Sequence, residues 1–513
     1  MTAQVAPTKV PARADVPIEY TWDATTVFPD DAAWEAAIEQ VQAMLPEITK
    51  YEGTLSQGAD RLLAYLRAIE KLYQLMMKVY MYANLHYQVN TADQDAAVKN
   101  GRAGMLFAKV GATTAFADPE MLAIGWDTIS GWLDESDALA SLRHYFERLF
   151  KRADHVRSGE VEALLSQAND VFRTGSSTHS VLAQADLTFE TAVGADGQER
   201  DVTNGSISGL LGSPDREVRR TAYEHFTDSH LALQHGMANA LHAGIKRDVF
   251  VMRARSYDSS LQAALANTHI PEAVYHNTLE TFRKNLPTWH KYWRVRRQAL
   301  GLDKMTPYDI WAPLTSDDPT VTYPEAIDWI SAGLAPLGDE YISVMRRGML
   351  EERWVDIYPN KNKSAGAFSA GVPGTNPFIL TNYNDDIRSM STLAHEIGHS
   401  MHSYFSWKTQ PLSYAFYGIF LAEVASNFNQ AMVRAHLLEN NDDPNFEIAV
   451  IEEAMANFYR YFCLMPTLAR FELAIHEQVE QNRPLTADSL NTLMADLFSE
   501  AFGDEMEIDR DRV

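Results

Sequence analysis

The stretch LAHEIGHSMHSYFS, residues 393–406, contains the side chains best suited to metal chemistry in this chain. His395 and His399 are four residues apart, so on a helix both imidazole rings would lie on one face and could bind one cation. Glu396 directly follows the first histidine, where its carboxylate would reach a water on that cation without binding the cation itself. The pattern is typical of metal-assisted hydrolysis with Glu396 as general base.

The two histidines can share a metal only if this stretch is helical. Apolar residues recur at three- and four-residue steps, namely Met390, Leu393, Ala394, Ile397, Met401 and Tyr404. This spacing predicts a half-buried helix, which Asp385 or Asp386 would cap and Gln410-Pro411 would end. The alternative is a chance match, which a chain of this length produces in roughly a few cases per hundred. A third ligand is needed to decide.

A catalytic zinc site usually has three protein ligands and one open position. The two commonest spacings for the third ligand point to Phe405 and to residues 418–420, none of which can bind a metal. Between His402 and Ala422 there is no Asp, Glu or His, and the first acidic residue downstream is Glu423. We therefore predict Glu423 as the third ligand.

Glu423 lies in a second helical segment, in which Phe420, Val424 and Phe428 fall on one stripe. The two helices can pack antiparallel, with Glu423 facing the histidines. A carboxylate buried unpaired in an apolar helix costs several kcal/mol, which favours a functional role. His402 lies on the histidine face one turn beyond the metal, where it is either structural or in contact with a ligand or substrate.

Composition is that of a globular protein, with 46% hydrophobic and 22% charged residues among 513. The net charge of −25 argues against nucleic acid or an anionic membrane as partner. Cys463 is the only cysteine, which excludes intrachain disulfides and multi-thiolate zinc sites and predicts a cytoplasmic location. Residues 1–20 have no apolar segment and are predicted to be a disordered lead.

The remaining chain is predicted to form two parts. Residues 21–204 have mainly helical periodicity, clearest at 59–89, and end in a hairpin at 186–203. Residues 205–513 then form a catalytic lobe that contains the H-E-x-x-H motif. We find no internal repeat.

Strand-like segments return just before the motif. Residues 354–359 are followed by a glycine-rich loop and by the apolar run Phe378-Ile379-Leu380. We predict that this run is an edge strand beside the metal, because an edge strand can pair with an extended peptide backbone. The alternative, which has equal weight, is a strand of the core.

The strings STLAHEIGHSMHSYFS…FLAEVAS, KNKSAGAFS…PFILTNY and IEYTWDATTVFPDDAAWEAA resemble the oligoendopeptidase F branch of the thimet-oligopeptidase-like (M3) zinc peptidases. The resemblance covers nearly the whole chain. It implies a mostly α-helical, two-lobed zincin with a small sheet beside the motif helix and a deep channel. Members of this family hydrolyse short unstructured peptides inside the channel and exclude folded proteins.

The resemblance also implies one Zn²⁺ per chain, bound by His395, His399 and Glu423, with Glu396 as general base. The residues expected to hold the substrate are Gly366, Ala367, Phe368, Gly371, Phe378, Ile379, Leu380 and His402. Short peptides are therefore the expected partners, while the oligomeric state is left open.

One departure concerns the end of the chain. Proteins of this branch usually continue for several tens of residues beyond a segment resembling FGDEMEID, with His and Tyr side chains that stabilise the oxyanion, whereas this sequence ends at Val513. Each oxyanion donor is typically worth roughly 2.7–4 kcal/mol. Two alternatives to an active endopeptidase therefore remain, namely a zinc-retaining peptide-binding protein with impaired catalysis and a purely structural helical protein.

Overall fold

The helical periodicity of the sequence is confirmed over most of the chain. The computed structural model describes residues 11–157, 161, 164–165, 168, 171–315 and 319–513. Within these residues the α-helices are Asp31–Thr49, Ala59–Val89, Gln94–Thr114, Ala117–Ile124, Trp126–Glu135, Asp137–Ala140, Arg143–Lys151, Thr174–Val181, Ile207–Leu211, Arg216–Ala232, Gln234–Ala254, Ser260–Ala266, Glu272–Lys284, Leu286–Ala299, Tyr323–Gly333, Asp339–Leu350, Ile387–Thr409, Ile419–Glu439, Pro444–Tyr459, Met465–Glu480 and Ala487–Phe502. None of the helices described is both long enough and apolar enough to cross a bilayer.

The predicted helix at 59–89 has those bounds in the structure. Its inward face includes Leu62, Leu72 and Met76, which are completely buried against the neighbouring helices. Tyr65 and Tyr82 are buried in the same cluster. Tyr65, Met76 and Tyr82 of this helix are therefore core residues.

The predicted hairpin is confirmed. Strands β1 (Ala192–Val193) and β2 (Glu199–Arg200) pair antiparallel, with Ala192 opposite Arg200. Gly197 in the connecting turn has a φ of +71°, a conformation that favours glycine.

A three-stranded sheet precedes the H-E-x-x-H helix. Strands β3 (Val355–Asp356), β4 (Phe368–Ala370) and β5 (Phe378–Leu380) lie in the order β3-β5-β4. Strand β5 is parallel to β3 and antiparallel to β4, with Ile379 opposite Ser369. The prediction that Phe378–Leu380 is an edge strand is therefore wrong, because it has neighbours on both sides and is completely buried. Strand β4 is the edge strand instead.

The chain forms two compact units, and their boundary differs from the predicted one after residue 204. One unit comprises residues 1–153 with 318–450, and the other comprises 154–317 with 451–513. The first contains the sheet and the H-E-x-x-H helix. The second has a core of aromatic residues that includes Trp289, Trp293, Tyr459 and Phe502.

The packing of the sheet explains why the first unit is assembled from distant segments. Trp22 and the Ala59–Val89 helix contribute apolar side chains to the same cluster as Val372, Phe378 and Leu380. Sequence periodicity indicates helices and strands, but it does not indicate which distant segments share a core. The boundary drawn from periodicity alone consequently fell in the wrong place.

The predicted disordered lead at residues 1–20 is only partly tested. Residues 1–10 lie outside the described part of the chain, whereas residues 11–20 are ordered against the sheet. The guanidinium of Arg13 donates to both carboxylate oxygens of Asp356, at 2.9 and 2.6 Å. The prediction of disorder is therefore wrong for residues 11–20, because a buried carboxylate holds them in place.

The Arg13–Asp356 contact also involves a buried amine and leads to a first prediction. The side chain of Lys363 is completely buried, its amine lies 2.8 Å from the Asp356 carboxylate, and burial lowers the pKa of this amine. Asp356→Ala leaves two cations without their counter-charge, so we expect the free energy of unfolding to fall by about 3–5 kcal/mol. Denaturation in urea measures this loss. Glu47→Gln, which removes the exposed ion pair with Lys50, is the control and should leave the midpoint unchanged. An equal effect of both substitutions would contradict the prediction.

Candidate active site

The H-E-x-x-H motif lies in the middle of the helix Ile387–Thr409, hereafter the motif helix. The carboxylate of Asp386 caps it, accepting a hydrogen bond of 2.6 Å from the backbone N–H of Ser389. The helix ends at Thr409, and the extended Gln410 follows it before Pro411. Its start and end therefore confirm the prediction.

A second helix, Ile419–Glu439, crosses the motif helix and is hereafter the Glu423 helix. The two backbones come close together at Gly398. A Cβ atom there would lie 2.6 Å from the Cα atom of Ser426 and 2.8 Å from the carbonyl oxygen of Ala425. Only glycine fits this crossing, and the close approach brings Glu423 to the histidines.

His395, His399 and Glu423 converge as predicted from the sequence. The two histidine Nε2 atoms are 3.2 Å apart. The nearest carboxylate oxygens of Glu423 are 3.4 Å from His395 Nε2 and 3.8 Å from His399 Nε2. A tetrahedral zinc ion with bonds of about 2.05 Å places its ligands about 3.3 Å apart, so the three groups are spaced to hold one ion.

The hydrogen bonds around the rings direct their Nε2 lone pairs towards each other. The side-chain amide of Gln430 donates to the Ser391 hydroxyl at 2.9 Å, so its oxygen accepts from His395 Nδ1 at 3.0 Å. His399 donates to the backbone of Ala422. Two unprotonated ring nitrogens beside a carboxylate repel one another unless a cation lies between them. The donor set therefore fits a metal ion.

Glu423 is itself held in place. Its Oε2 accepts hydrogen bonds from the Ser426 hydroxyl at 3.0 Å and from the Asn427 amide at 3.3 Å. These bonds fix the rotamer of a side chain that is about one-third exposed. The sequence analysis did not assign a role to Gln430 or Ser426. The signal that could have identified them is that they lie on one side of the Glu423 helix, three to seven residues after Glu423.

Glu396 lies beside the three converging groups without being one of them. It is only 5% exposed and accepts a hydrogen bond from the backbone of Ser369 on β4. Its Oε2 has no hydrogen-bond partner among the described residues. Burial, and secondarily the charge of Glu423, raise the pKa of Glu396 to about 8. A carboxyl in this environment can accept and release a proton near neutral pH.

The motif helix has different neighbours on its two flanks. Successive residues on a helix are about 100° apart, so positions just after and just before a histidine lie on opposite sides of it. Ser400, after His399, shares a hydrogen bond of 2.8 Å with Ser369 of β4. Gly398, before His399, contacts the Glu423 helix. The two histidines therefore lie on a helix flanked by β4 on one side and by the Glu423 helix on the other.

His402 lies outside the group of three. Its ring stacks on Tyr417 with centroids 3.6 Å apart, and burial lowers its pKa. Its Nδ1 is buried without a partner in the described chain. The Tyr417 hydroxyl donates to the carbonyl oxygen of His399 at 3.2 Å, so this stack adjoins a candidate ligand.

The predicted substrate-binding residues fall into two groups. Gly366, Ala367 and Phe368 lead into the edge strand beside Glu396, with a φ of +81° at Gly366. Gly371 follows that strand, where a Cβ would lie 2.5 Å from the Trp407 ring of the motif helix. The second group, Phe378, Ile379 and Leu380, is the central strand and is fully buried, so it cannot present its backbone to a peptide.

Comparison with protein families identifies the chain. The model described as Peptidase family M3 matches residues 210–512, and the model described as Oligopeptidase F matches residues 120–189. The oligopeptidase PepF of Bacillus subtilis is 38% identical over 98% of this chain and 75% of its own length. The chain belongs to peptidase family M3. It is a metalloendopeptidase of the oligoendopeptidase F type.

Solved structures show the same fold for this M3 peptidase. A candidate peptidase from Chlamydophila abortus superposes with a TM-score of 0.83 at 30% identity, covering 98% of this chain and 84% of that one. The oligoendopeptidase F of Enterococcus faecium superposes with a TM-score of 0.71 at 29% identity, covering 94% and 82%. The predicted family and the mostly α-helical zincin fold are therefore confirmed.

The crossing at Gly398 leads to a second prediction for this M3 peptidase. Gly398→Ala must push the Glu423 helix away, so we expect weaker zinc binding and a loss of about 1–3 kcal/mol in stability. Competition with a chelator measures the affinity, and thermal denaturation measures the stability. Gly104→Ala is the control, because a Cβ at this helical position meets nothing within 4 Å. Wild-type zinc affinity in Gly398→Ala would contradict this account of the crossing.

The Gln430 contact leads to a third prediction. Gln430→Leu removes the acceptor of His395 Nδ1–H, and we expect zinc affinity to fall about 10–100-fold. Gln430→Glu keeps an acceptor and should lose less. The exposed Gln42→Leu serves as control. Titration with zinc in the presence of a competing chelator distinguishes these variants, and an unchanged affinity in Gln430→Leu would exclude an orienting role.

Proposed function

We propose that this M3 peptidase is a zinc-dependent enzyme that hydrolyses short, unstructured peptides, with one Zn²⁺ per chain bound by His395, His399 and Glu423. The observation that carries the proposal is the convergence of these three groups at 3.2–3.8 Å beside the buried carboxylate of Glu396. A zinc ion bound there would polarise the scissile carbonyl and lower the pKa of the attacking water.

Glu396 acts as the proton carrier of the reaction. Its Oε2, which has no partner among the described residues, faces no competing donor and can take a proton from the attacking water. The hydrogen bond from the Ser369 backbone holds the carboxylate in position. The same oxygen then gives the proton to the nitrogen of the scissile bond. The C–N bond therefore breaks with release of a neutral amine instead of an amide anion.

The edge strand β4 holds the peptide backbone in this proposal. The backbone N–H of Ile379 donates to Trp354 on the β3 side, so the backbone groups of Ser369, which lies opposite Ile379, point away from β5. The Ser369 carbonyl is thus directed to the open edge, where it can accept a hydrogen bond from an extended peptide. This assigns the backbone role to Phe368–Ala370 in place of Phe378–Leu380.

Two parts of the initial prediction remain proposals. The enclosed channel that admits only unfolded peptides rests on the family resemblance, and the cytoplasmic location rests on the single Cys463. His402 retains its proposed role near the substrate. The alternative is a protein that retains zinc but only binds peptides. We do not favour it, because the relatives of this chain are named as peptidases.

Glu396→Gln provides the direct test and the fourth prediction. The amide cannot accept the proton of the water, so we expect kcat to fall by about 10²–10⁴-fold while one zinc per chain is retained. Cleavage of a quenched fluorescent peptide of about ten residues measures turnover, and atomic emission measures zinc. Glu39→Gln, at an exposed position of the first long helix, is the matched control and should keep full activity.

His395→Ala completes the test of the site. It should lose both zinc and activity, whereas Glu396→Gln loses activity alone. Full turnover in Glu396→Gln would exclude Glu396 as the base. A wild-type chain that binds zinc and peptide without cleaving the peptide would instead support the binding-only alternative.

A further inference from the structure

One side-chain hydrogen bond joins the motif helix directly to the edge strand β4. It connects the hydroxyls of Ser400 and Ser369, which are 2.8 Å apart. Ser400 is completely buried and directly follows the candidate ligand His399. A hydroxyl inside a helix commonly donates to a carbonyl of the preceding turn, as Thr409 does to Phe405 in this helix. The Ser400 hydroxyl instead bonds to a strand that is 31 residues away in sequence.

The strand residue of this bond, Ser369, has both of its backbone groups at the open edge of β4. Its backbone holds the carboxylate of Glu396 by a hydrogen bond, and its carbonyl oxygen is the group that accepts from an extended peptide under the proposed function. Ser369 therefore contacts the general base through its N–H and the substrate through its carbonyl. A movement of β4 along the motif helix would change both contacts together.

Three residues of the motif helix form one stripe that faces β4, namely Glu396, Ser400 and Trp407. Ser400 lies about one turn after Glu396, and Trp407 lies about three turns after it. Trp407 contacts the residue after the strand, where a Cβ atom at Gly371 would lie 2.5 Å from the indole ring. This ring keeps the strand close to the helix, but apolar contact is not directional. The hydroxyl pair is directional, so it can fix where the strand lies along the helix.

We propose that Ser400 is a positioning residue of this peptidase, whose buried hydroxyl holds β4 where Ser369 reaches Glu396 and the peptide backbone at the same time. This inference rests on the proposed function and extends it to the alignment of the general base with the substrate-binding strand. Ser400 acts through Ser369 and does not itself contact the substrate. Neither the family models nor the names of the relatives assign a role to Ser400.

The burial of Ser400 is what makes this bond restrictive. If the strand shifted, the Ser400 hydroxyl would lose its partner while it remained out of contact with water, and an unpaired buried hydroxyl costs free energy. The position of β4 in which the two hydroxyls meet is therefore favoured over neighbouring positions. Removing one hydroxyl abolishes this preference without leaving a buried charge or a large cavity, so the fold should tolerate the change.

The experiment compares Ser400→Ala, Ser369→Ala and the double variant with the wild type, all loaded with zinc. Ser369→Thr is the conservative variant, because it keeps the hydroxyl at a strand position that suits a β-branched residue. Ser331→Ala is the matched control, because Ser331 is also a buried helical serine but its hydroxyl donates to Ile327 in its own helix. Cleavage of the quenched fluorescent peptide gives kcat and KM, and atomic emission gives the zinc content.

We expect Ser400→Ala to lower kcat/KM about five- to ten-fold, the effect of losing one hydrogen bond, through both a lower kcat and a higher KM. Ser369→Ala should show the same loss. The double variant should lose no more than either single variant, because all three remove the same bond. Ser369→Thr and Ser331→Ala should stay within about two-fold of the wild type, and every variant should retain one zinc per chain.

A merely structural role for Ser400 predicts a different pattern. Partial unfolding lowers the active fraction, so the apparent kcat would fall with the folded fraction while KM kept its wild-type value. An unchanged KM in Ser400→Ala overturns the proposal. So do losses that multiply in the double variant, or a loss in Ser369→Thr equal to that in Ser369→Ala.

Hydrogen–deuterium exchange separates this inference from the proposed function. The Ser369 N–H lies at the open edge of β4, so its bond to Glu396 is what slows its exchange. Mass spectrometry of fragments that cover residues 367–371 should therefore show faster exchange in Ser400→Ala than in the wild type, and no change in Ser331→Ala. If the wild type does not cleave the peptide while this difference is present, the hydrolytic assignment fails and the positioning role stands. Equal exchange in Ser400→Ala and the wild type overturns the positioning role, whatever the turnover.

Discussion

The candidate site depends on how closely two helices can cross. At Gly398 the missing side chain allows the backbone of Ser426 to come within 2.6 Å of the place where a Cβ would be. A second glycine contact supports the Glu423 helix from the helix Tyr323–Gly333, because a Cβ at Gly333 would lie 2.8 Å from the Val433 Cα. The Glu423 helix is thus held between two backbones, and its position leaves Glu423 within 3.4 Å of His395.

Polar groups fix the register of this crossing, which apolar contacts alone would leave free to slide. Asn429 donates to the carbonyl of Ala394 at 3.5 Å and to the Tyr341 hydroxyl at 2.8 Å, and Gln430 connects His395 to Ser391. A buried polar group costs free energy unless it is paired, so only one register satisfies all of them. Glu396 breaks this rule, because its Oε2 has no partner in the described part of the chain, and functional sites are where such exceptions are expected.

Local patterns predicted well what depends on neighbours in sequence. The motif helix, its cap at Asp386 and the Ala59–Val89 helix agree with the periodicity and capping signals. Glu423 could be chosen because no other acidic residue or histidine follows His402 for twenty positions. Distant pairing could not be predicted in this way. The partner of Arg13 is 343 residues away, and the central position of β5 depends on both β3 and β4.

The Glu423 helix shows that periodicity can identify an apolar stripe without indicating which way the stripe faces. Phe420, Val424 and Phe428 do form one stripe, and an apolar stripe normally faces the core. Here the inner face must instead orient histidines and a carboxylate, which requires hydrogen-bonding side chains such as Gln430. The inner face still buries Val433 and Leu437 further along the helix, whereas Phe420, Val424 and Phe428 lie on the outer face. Next to the histidines, the polar inner face therefore follows from building a polar site at a helix crossing.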